Sequence, residues 1–338
     1  MIEQLTRTIA DRVAGPRPVA SALRDYLDTL LGELKAPGAP PTRTPIDLAA
    51  LPDRVFETLV SREFCSLSLG RVAGSRDAVV ASVARALRRS EPIHFYYGLG
   101  GGYATSFRSP SASRVPEVGL AEVLLLRQAT ELAARVGALY PPGVRFSLVI
   151  DNLSAYLVED VPVAQTLVYC RKLRQLVDEL GLSALTELIV TSEYFSVSDF
   201  AEAWPSGGDV PDVGALTNKP HGIAGRQAVG VDEAADAELV RRVHAARQAA
   251  EQLLAPMIRG VYLTGRTRLE TLGFRPFPGG QAGAERGEVV LTRKGRTALG
   301  PMVLTSATHA DYAVERYRFP GVLPSSIVNV GYAERLPG

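Results

Sequence analysis

The chain has 338 residues, enough for one large or two ordinary domains, and its 46% hydrophobic and 22% charged residues are typical of a protein with a sizeable core. Its 37 basic and 36 acidic residues give a net charge of +1, which argues against nucleic acid as a partner. The N-terminus lacks the basic-then-apolar order of a signal peptide, and no stretch approaches the ~18 apolar residues of a membrane span. We therefore expect a cytoplasmic protein without a membrane partner.

The first 90 residues are predicted to form an N-terminal helical region. Apolar residues recur at helical spacing in 1–34, 47–64 and 75–90. The segment 35–45, "KAPGAPPTRTP", is too rich in proline for regular structure and is interpreted as a semi-rigid connection. The two cysteines of the chain, Cys65 and Cys170, form no CxxC motif and are predicted to be buried thiols rather than a disulfide or a metal site.

Residues 91–195 are predicted to form an α/β core with a parallel sheet. A short β-rich run, "PIHFYY", leads into the glycine-rich loop "GLGGGYATSF". Helical and strand patterns then alternate, at 119–140 (helix), 144–150 (strand), 163–180 (helix) and 185–191 (strand). Strand, helix, strand, helix, strand is the pattern of a parallel sheet covered by helices.

The remaining chain is divided into an irregular segment and a C-terminal extension. Residues 196–231 are long, irregular and glycine-bearing, with Trp204, Lys219 and His221 among them, and are interpreted as a lid over the site or as a disordered segment. Residues 232–338 are predicted as an α+β extension. Its helix is expected at 232–256 and its strands around 259–264, 271–276, 287–293 and 301–305.

The Asp151–Asn152 pair stands where the apolar strand "VRFSLVI" stops. Ligands of open parallel sheets bind outside the carboxyl ends of the strands, where loops of neighbouring strands meet. We therefore predict that Asp151 and Asn152 face a site, near which Tyr97 and Tyr103 offer polar groups. The alternative is that Asp151 only turns the chain.

The glycine loop lacks the lysine and the immediate helix of a Walker loop, and the third glycine of a dinucleotide fingerprint. The remaining possibility is a site for a single phosphate or carboxylate, formed by the backbone of Gly100 and Gly101 with Ser106 and Arg108. No cofactor is implied.

Of the four histidines, His309 is the best acid/base candidate, because it follows a short strand and has Asp311 nearby. His94 lies in an alternating strand and is interpreted as a packed core residue, a site role being the alternative. No histidines have the spacing of metal ligands, so a metal site is not expected.

A resemblance to a known family covers residues 115–181. The order of its elements is a Pro-acidic pair, a helix with an acidic position, a Tyr-Pro-Pro-Gly turn, a strand ending in an aspartate, and a helix with Leu-Arg-x-Leu spacing. The residues that carry it are Pro116, Glu117, Glu122, Tyr140, Pro142, Gly143, Asp151, Tyr156, Asp160 and Tyr169. In this pattern the chain resembles the isonitrile (isocyanide) synthase family, related to the pyoverdine and dityrosine biosynthesis proteins.

The resemblance implies a Rossmann-like core and an enzyme of natural-product biosynthesis. Such an enzyme condenses the amine of an amino acid with a ribulose 5-phosphate-type sugar phosphate and leaves an isonitrile carbon on nitrogen. The reaction implied by the resemblance needs an acid/base, for which Asp151 is the predicted catalytic residue, and a wall for the amino acid, for which Tyr97 and Tyr103 are predicted. The phosphate would need cations, for which Arg268 and Arg275 are the predicted residues, with Arg266 and Arg293 as further candidates.

The chain also departs from the family pattern. The family's loop after the first strand carries a lysine, whereas Arg108 is the nearest cation here, and the family's Ser-Asp-Gly is replaced by Ile150-Asp151-Asn152. The C-terminal Arg strand and His-Pro step have only loose counterparts in 265–278 and 306–312. A diverged relative acting on an amino acid, another α/β enzyme acting on a phosphorylated or carboxylate small molecule, and a noncatalytic small-molecule-binding homologue therefore remain open. The sequence does not indicate an oligomeric state.

Overall fold

The computed structural model describes part of the chain. The described residues are 47–65, 72–99, 118, 120–159, 162–204, 245–246, 248–263, 272 and 274, together with the backbone of 290–292, 302–304, 313–319 and 323–333.

The elements follow in a regular order. The helices are α1 (Leu51–Leu59), α2 (Arg76–Arg89), α3 (Leu120–Leu139), α4 (Asn152–Glu159), α5 (Val163–Glu179) and α6 (Val197–Glu202). The strands are β1 (Ile93–Gly98), β2 (Val144–Ile150), β3 (Thr186–Val190), β4 (Val261–Tyr262), β5 (Val290–Thr292), β6 (Met302–Leu304), β7 (Ala313–Phe319) and β8 (Leu323–Ala333).

The central sheet is parallel and has the strand order β3-β2-β1-β4. Only Arg145 is exposed in β2, so the strand is buried on both faces, as expected for a parallel sheet covered by helices. The prediction of an α/β fold with a parallel core sheet is confirmed. The strand predicted at 144–150 has the observed bounds, and those predicted at 92–97 and 185–191 differ from the observed ones by a residue at each end.

A glycine turn aligns the first two strands. Gly143 has a φ of 71°, a left-handed conformation that glycine adopts without strain. Its N–H donates to the Tyr140 carbonyl at 2.8 Å, which closes the Tyr-Pro-Pro-Gly turn, and its carbonyl accepts from the Ile93 N–H at 3.0 Å. The turn therefore starts β2 in register beside β1.

The N-terminal helices belong to the same core as the sheet. Leu51 and Val55 of α1, and Val83 of α2, are buried in one apolar cluster with Phe95 and Phe146 of the strands. A second, smaller cluster covers the other face of the sheet, where Phe200 of α6 and the helical segment 248–254 pack on Tyr96 and Val149.

The cysteine prediction is confirmed, because both thiols are free and buried. Burial raises the pKa of the Cys170 thiol to about 11, although Arg174 opposes the rise. Cys170 is thus held as the neutral thiol and acts as a packing residue.

Three sequence expectations need correction. The chain that leaves β2 forms helix α4 from Asn152 on, and not one of the loops expected at the strand ends, because Asp151 caps this helix. The irregular segment begins with a helix, α6, which starts with a capping box between Ser196 and Asp199. The strand near 259–264 is not part of the extension alone, because β4 pairs with β1 and becomes the fourth strand of the core sheet.

The C-terminal strands form a second, mixed sheet with the order β5-β6-β8-β7. The strands β5 and β6 were expected, whereas β7 and β8, the longest pair, were not. The β-rich character of the extension is confirmed. Strand β8 also passes close to α3 and α5 of the core.

Candidate active site

The strand order places a topological switch point between β1 and β4. The chain leaves β1 toward β2 on one side of the sheet, whereas β4 lies on the other side of β1. Ligands of open α/β sheets bind in the crevice at the carboxyl ends of the two strands that flank such a point. The candidate site is therefore at the ends of β1 and β4, with the end of β2 beside them.

Both predicted anion-binding segments continue from these two strand ends. The glycine loop follows directly after Leu99, whose N–H donates to the Val149 carbonyl of β2 at 2.8 Å. The arginine-bearing segment that starts at residue 264 follows β4. The sequence pattern does not indicate that β1 and β4 are neighbours, whereas the structure pairs them in parallel.

Hydrogen bonds fix the described residues on both sides of the segment after β4. The Phe274 N–H donates to the Leu263 carbonyl at 3.3 Å, and the Leu272 carbonyl accepts from the Cys65 thiol at 3.0 Å.

Asp151 lies at the carboxyl end of β2, one of the two inner strands. Its Oδ1 accepts from the Ser154 N–H at 3.1 Å. The Thr191 hydroxyl lies 3.4 Å from the same oxygen, but its single proton is closer to Asn152 Oδ1, at 3.0 Å. The first contact caps α4, which is the turn role that the sequence left open as an alternative. The position at the strand end is as predicted, and catalysis by Asp151 stays a prediction.

Asn152 is completely buried and uses its whole amide within the protein. Its Nδ2 donates to Thr166 Oγ1 at 2.9 Å and to Ser192 Oγ at 2.8 Å. Its Oδ1 accepts from Thr191 Oγ1 and from the Ser192 N–H, both at 3.0 Å. Two donors and two acceptor positions are all that an amide offers. The geometry favours a positioning role that joins the ends of β2 and β3, and a direct substrate contact stays a prediction.

Tyr97 is buried near the end of β1. Its ring lies edge-on against Phe274, with 5.7 Å between the centroids. This contact anchors the chain next to Arg275, another predicted substrate residue. Tyr97 is only 9% exposed, so its ring acts mainly in packing, and its contact with a substrate stays a prediction.

Two residues of the family resemblance meet inside the protein. The Tyr169 hydroxyl of α5 donates to Glu122 Oε1 of α3 at 2.8 Å, and both residues are buried. The Tyr140 hydroxyl donates to the Glu91 carbonyl at 2.9 Å, before β1 begins. These motif positions therefore have structural roles in joining helices and strands around the sheet.

His94 belongs to a polar network that the sequence did not reveal. On one face of the sheet, Ser147 Oγ lies 3.0 Å from His94 Nε2 and donates to Glu187 Oε1 at 2.7 Å. The Tyr96 hydroxyl lies 3.2 Å from His94 Nδ1, and Glu187 Oε1 lies 3.2 Å from Nε2. The interpretation of His94 as a simple core residue is incomplete, because its side chain is 27% exposed.

This network is not a nucleophilic triad. In a triad the serine and the acid contact different nitrogens of the imidazole, whereas Ser147 and Glu187 both approach Nε2. Burial lowers the pKa of His94, and this outweighs the opposite influence of Glu187. A neutral ring with a hydrogen on Nε2 is consistent with every contact, since Nδ1 then accepts from Tyr96.

The other predicted site residues lie outside the described residues. They are Gly100, Gly101, Tyr103, Ser106, Arg108, Arg268, Arg275 and His309, together with Lys219 and His221 of the expected lid. Within the described part of the chain, no group of three or more metal-ligating side chains occurs, and no helix combines the length and apolar character of a membrane span.

Comparison with solved structures gives a structural relative. The crystal structure of the PvcA protein from Pseudomonas aeruginosa matches with a TM-score of 0.56 at 14% sequence identity, over 83% of this chain and 99% of that chain. The chain therefore shares the α/β fold of PvcA over nearly the whole length of that protein. No protein-family model matches, and no curated protein gives a significant match.

Proposed function

We propose that this protein is an enzyme related to the isonitrile synthases, which joins the amine of an amino acid to the carbonyl carbon of a ribulose 5-phosphate-type sugar phosphate. The observation that carries the proposal is the switch point between β1 and β4. It brings the ends of the strands that lead into the glycine loop and the arginine segment next to each other, with Asp151 at the end of the adjacent strand.

The fold and the resemblance independently support this proposal. Residues 115–181 follow the order of motifs of the isonitrile synthase family. The chain shares its fold with PvcA, an isonitrile synthase-like protein. Two motif residues that are 47 positions apart, Glu122 and Tyr169, form a buried hydrogen bond, which gives their joint presence a physical reason.

Asp151 is assigned the proton transfers in this proposal. Imine formation from an amine and a ketose needs an acid that protonates the departing hydroxyl and a base that removes protons from nitrogen. The Ser154 N–H holds Oδ1 in a defined orientation, as a positioned acid/base requires. His309 is the proposed second acid/base.

The substrate anions are assigned to the two segments at the switch point. Arginine binds phosphate and carboxylate through two parallel hydrogen bonds, so Arg108, Arg268 and Arg275 are suited to the sugar phosphate and the amino-acid carboxylate. Backbone N–H groups at Gly100 and Gly101, with Ser106, complete the phosphate site. Tyr97 and Tyr103 form the wall for the amino-acid side chain.

The test is a product scan by mass spectrometry. The purified protein is incubated with ribulose 5-phosphate and each amino acid in turn, with a boiled sample as control. The proposal expects one amino acid to gain one carbon and lose two hydrogens. Saturable binding without a product would instead indicate a noncatalytic homologue, and a product of another composition would indicate a different α/β enzyme.

A further inference from the structure

A cavity of about 230 Å³ lies at the opposite, amino edge of the central sheet. It is bounded by the last turns of α2, by the start of β1 and by the chain that enters β4. Arg85, Arg89 and Arg259 line it, with His94 and Tyr96 among the other lining residues. About 13 Å of strand separates His94 from Gly98 at the carboxyl edge, so this cavity is distinct from the candidate active site.

Positive charge dominates the cavity. Glu91 is its one carboxylate among the described residues, and it lies 4.0 Å from Arg89, at the limit of an ion pair. Arg85 and Arg259 have no carboxylate partner among the described residues. Three guanidinium groups against one carboxylate leave an excess of about two positive charges in the lining, which suits a dianion better than a monoanion. Outside the lining, the Glu187 carboxylate beside His94 is opposed by Arg145, whose charge also acts on this ring.

Hydrogen bonds and close packing join the walls of the cavity to each other. The Ser82 hydroxyl of α2 donates to the Gly260 carbonyl at 3.5 Å, and the Arg259 N–H donates to the Tyr96 hydroxyl at 3.4 Å. Gly260 also packs so closely on the backbone of His94 that a Cβ at this position would overlap its carbonyl oxygen. The backbone segments that carry Arg85, Arg89 and Arg259 are therefore held around one concave surface.

These three arginines differ from ordinary surface arginines because they line the same cavity. Arg88 is also exposed and without a carboxylate partner among the described residues, but it does not line the cavity. The volume lies below the ~300–1,000 Å³ of pockets for drug-sized ligands. This volume fits a tetrahedral oxyanion that carries no more than a short carbon chain. A guanidinium group binds two oxygens of such an anion through parallel hydrogen bonds.

We infer that this cavity is a second ligand site, which binds inorganic phosphate or a small phosphate monoester. The phosphate group lies between Arg85, Arg89 and Arg259, next to the ring of His94. This site does not depend on the proposed reaction, because none of its residues belongs to the carboxyl edge.

The test uses the proton NMR signals of the imidazole rings, since the chain has only four histidines. The His94 signal is identified as the one missing from His94→Gln. Inorganic phosphate and glycerol 3-phosphate are titrated separately, above the second pKa of the phosphate group, with sodium chloride at matched ionic strength as the control. The anion that binds more tightly identifies the source of the phosphate.

We expect at least one of the two anions to shift the His94 signal saturably at millimolar concentration, and chloride not to do so. The double variant Arg85→Gln/Arg259→Gln should weaken this binding at least about tenfold. The matched control Arg88→Gln, on the same helix, should stay within about twofold of the wild type. A His94 signal that moves with neither anion, or that moves equally in the double variant, would overturn the inference.

Discussion

Asp151 combines a capping contact with the position of a catalytic carboxylate, and a single isosteric change separates these two roles. Asparagine retains an oxygen that can accept from the Ser154 N–H, and it caps helices about as well as aspartate. It cannot carry the charge or exchange the proton that a general acid/base needs.

We therefore expect Asp151→Asn to lower turnover by at least about two orders of magnitude, with the melting temperature almost unchanged. Asp151→Ala should in addition lower the free energy of unfolding by about 1 kcal/mol, because the cap is lost. Steady-state rates and thermal melts of both variants decide the matter. An active Asp151→Asn protein would show that Asp151 is a turn residue only.

The His94 network predicts a specific dependence of stability on pH. Burial lowers the pKa of His94 below its ordinary value of 6.5, and the charge of Arg145 adds to the lowering. Glu187 has the opposite effect on this pKa but does not outweigh burial. As the pH falls below about 6.5, the unfolded chain takes up a proton that the folded protein resists, so the free energy of unfolding decreases. Above about pH 7.5 this contribution is constant, because the imidazole is then neutral in both states.

We expect the melting temperature of the wild type to drop between about pH 7.5 and about pH 5.5, and His94→Gln to show a smaller drop. The melting temperature of each protein is compared between the two pH values, so the effect of the substitution that does not depend on pH cancels. Equal drops in the two proteins would mean that His94 titrates normally in the folded state.

Single residues were predictable where the local pattern carries the signal. Asp151 stands at the point where an apolar run ends, and the glycines and prolines around it mark the turns. The His94 network was not predictable, because Ser147 and Glu187 are 53 and 93 residues away from His94. Only the register of three parallel strands brings these side chains together.

At the scale of elements, the pairing of β4 with β1 positions both the candidate active site at the carboxyl edge of the sheet and the cavity at its amino edge. The pairing places Phe95 beside Val261 and Tyr96 beside Tyr262. Gly260, just before β4, lies against the backbone of His94, and a Cβ there would also come within 2.9 Å of His94 Cβ. The strand can reach this position only with glycine at 260.

Gly260→Ala should accordingly lower the free energy of unfolding by at least about 2 kcal/mol, because β4 must move away from β1. Gly137→Ala is the matched control, since nothing lies within 4 Å of a Cβ built at this helical position. The control should be neutral or more stable by up to about 1 kcal/mol. Urea denaturation measures both, and a Gly260→Ala protein as stable as the control would refute the close approach.

Elements with strong periodicity were predictable, and elements that depend on distant partners were not. The helix Val163–Glu179 and the strand Val144–Ile150 follow from their apolar spacing. The short strand β4 has two residues, and its place in the core sheet depends on a partner about 165 residues earlier in the chain. The strands β7 and β8 were also missed, but they are consecutive and pair with each other, so a distant partner is not the reason.

For the whole molecule, the strand order connects sequence and function. The order β3-β2-β1-β4 is the first part of the Rossmann order, and it defines one crevice for a ligand. The sequence predicted the α/β class and the residues near the strand ends, but not that β4 flanks β1. Fold alone does not establish chemistry, so the transfer of carbon to nitrogen has to be observed directly.

The most direct measurement follows the isonitrile carbon. The protein is incubated with uniformly ¹³C-labelled ribulose 5-phosphate and the unlabelled amino acid that reacts, and the product mass is compared with that from unlabelled sugar. The account predicts a product that is heavier by one mass unit, because a single carbon passes from the sugar to the amine. A product without label, or one that retains several sugar carbons, would contradict the isonitrile synthase proposal.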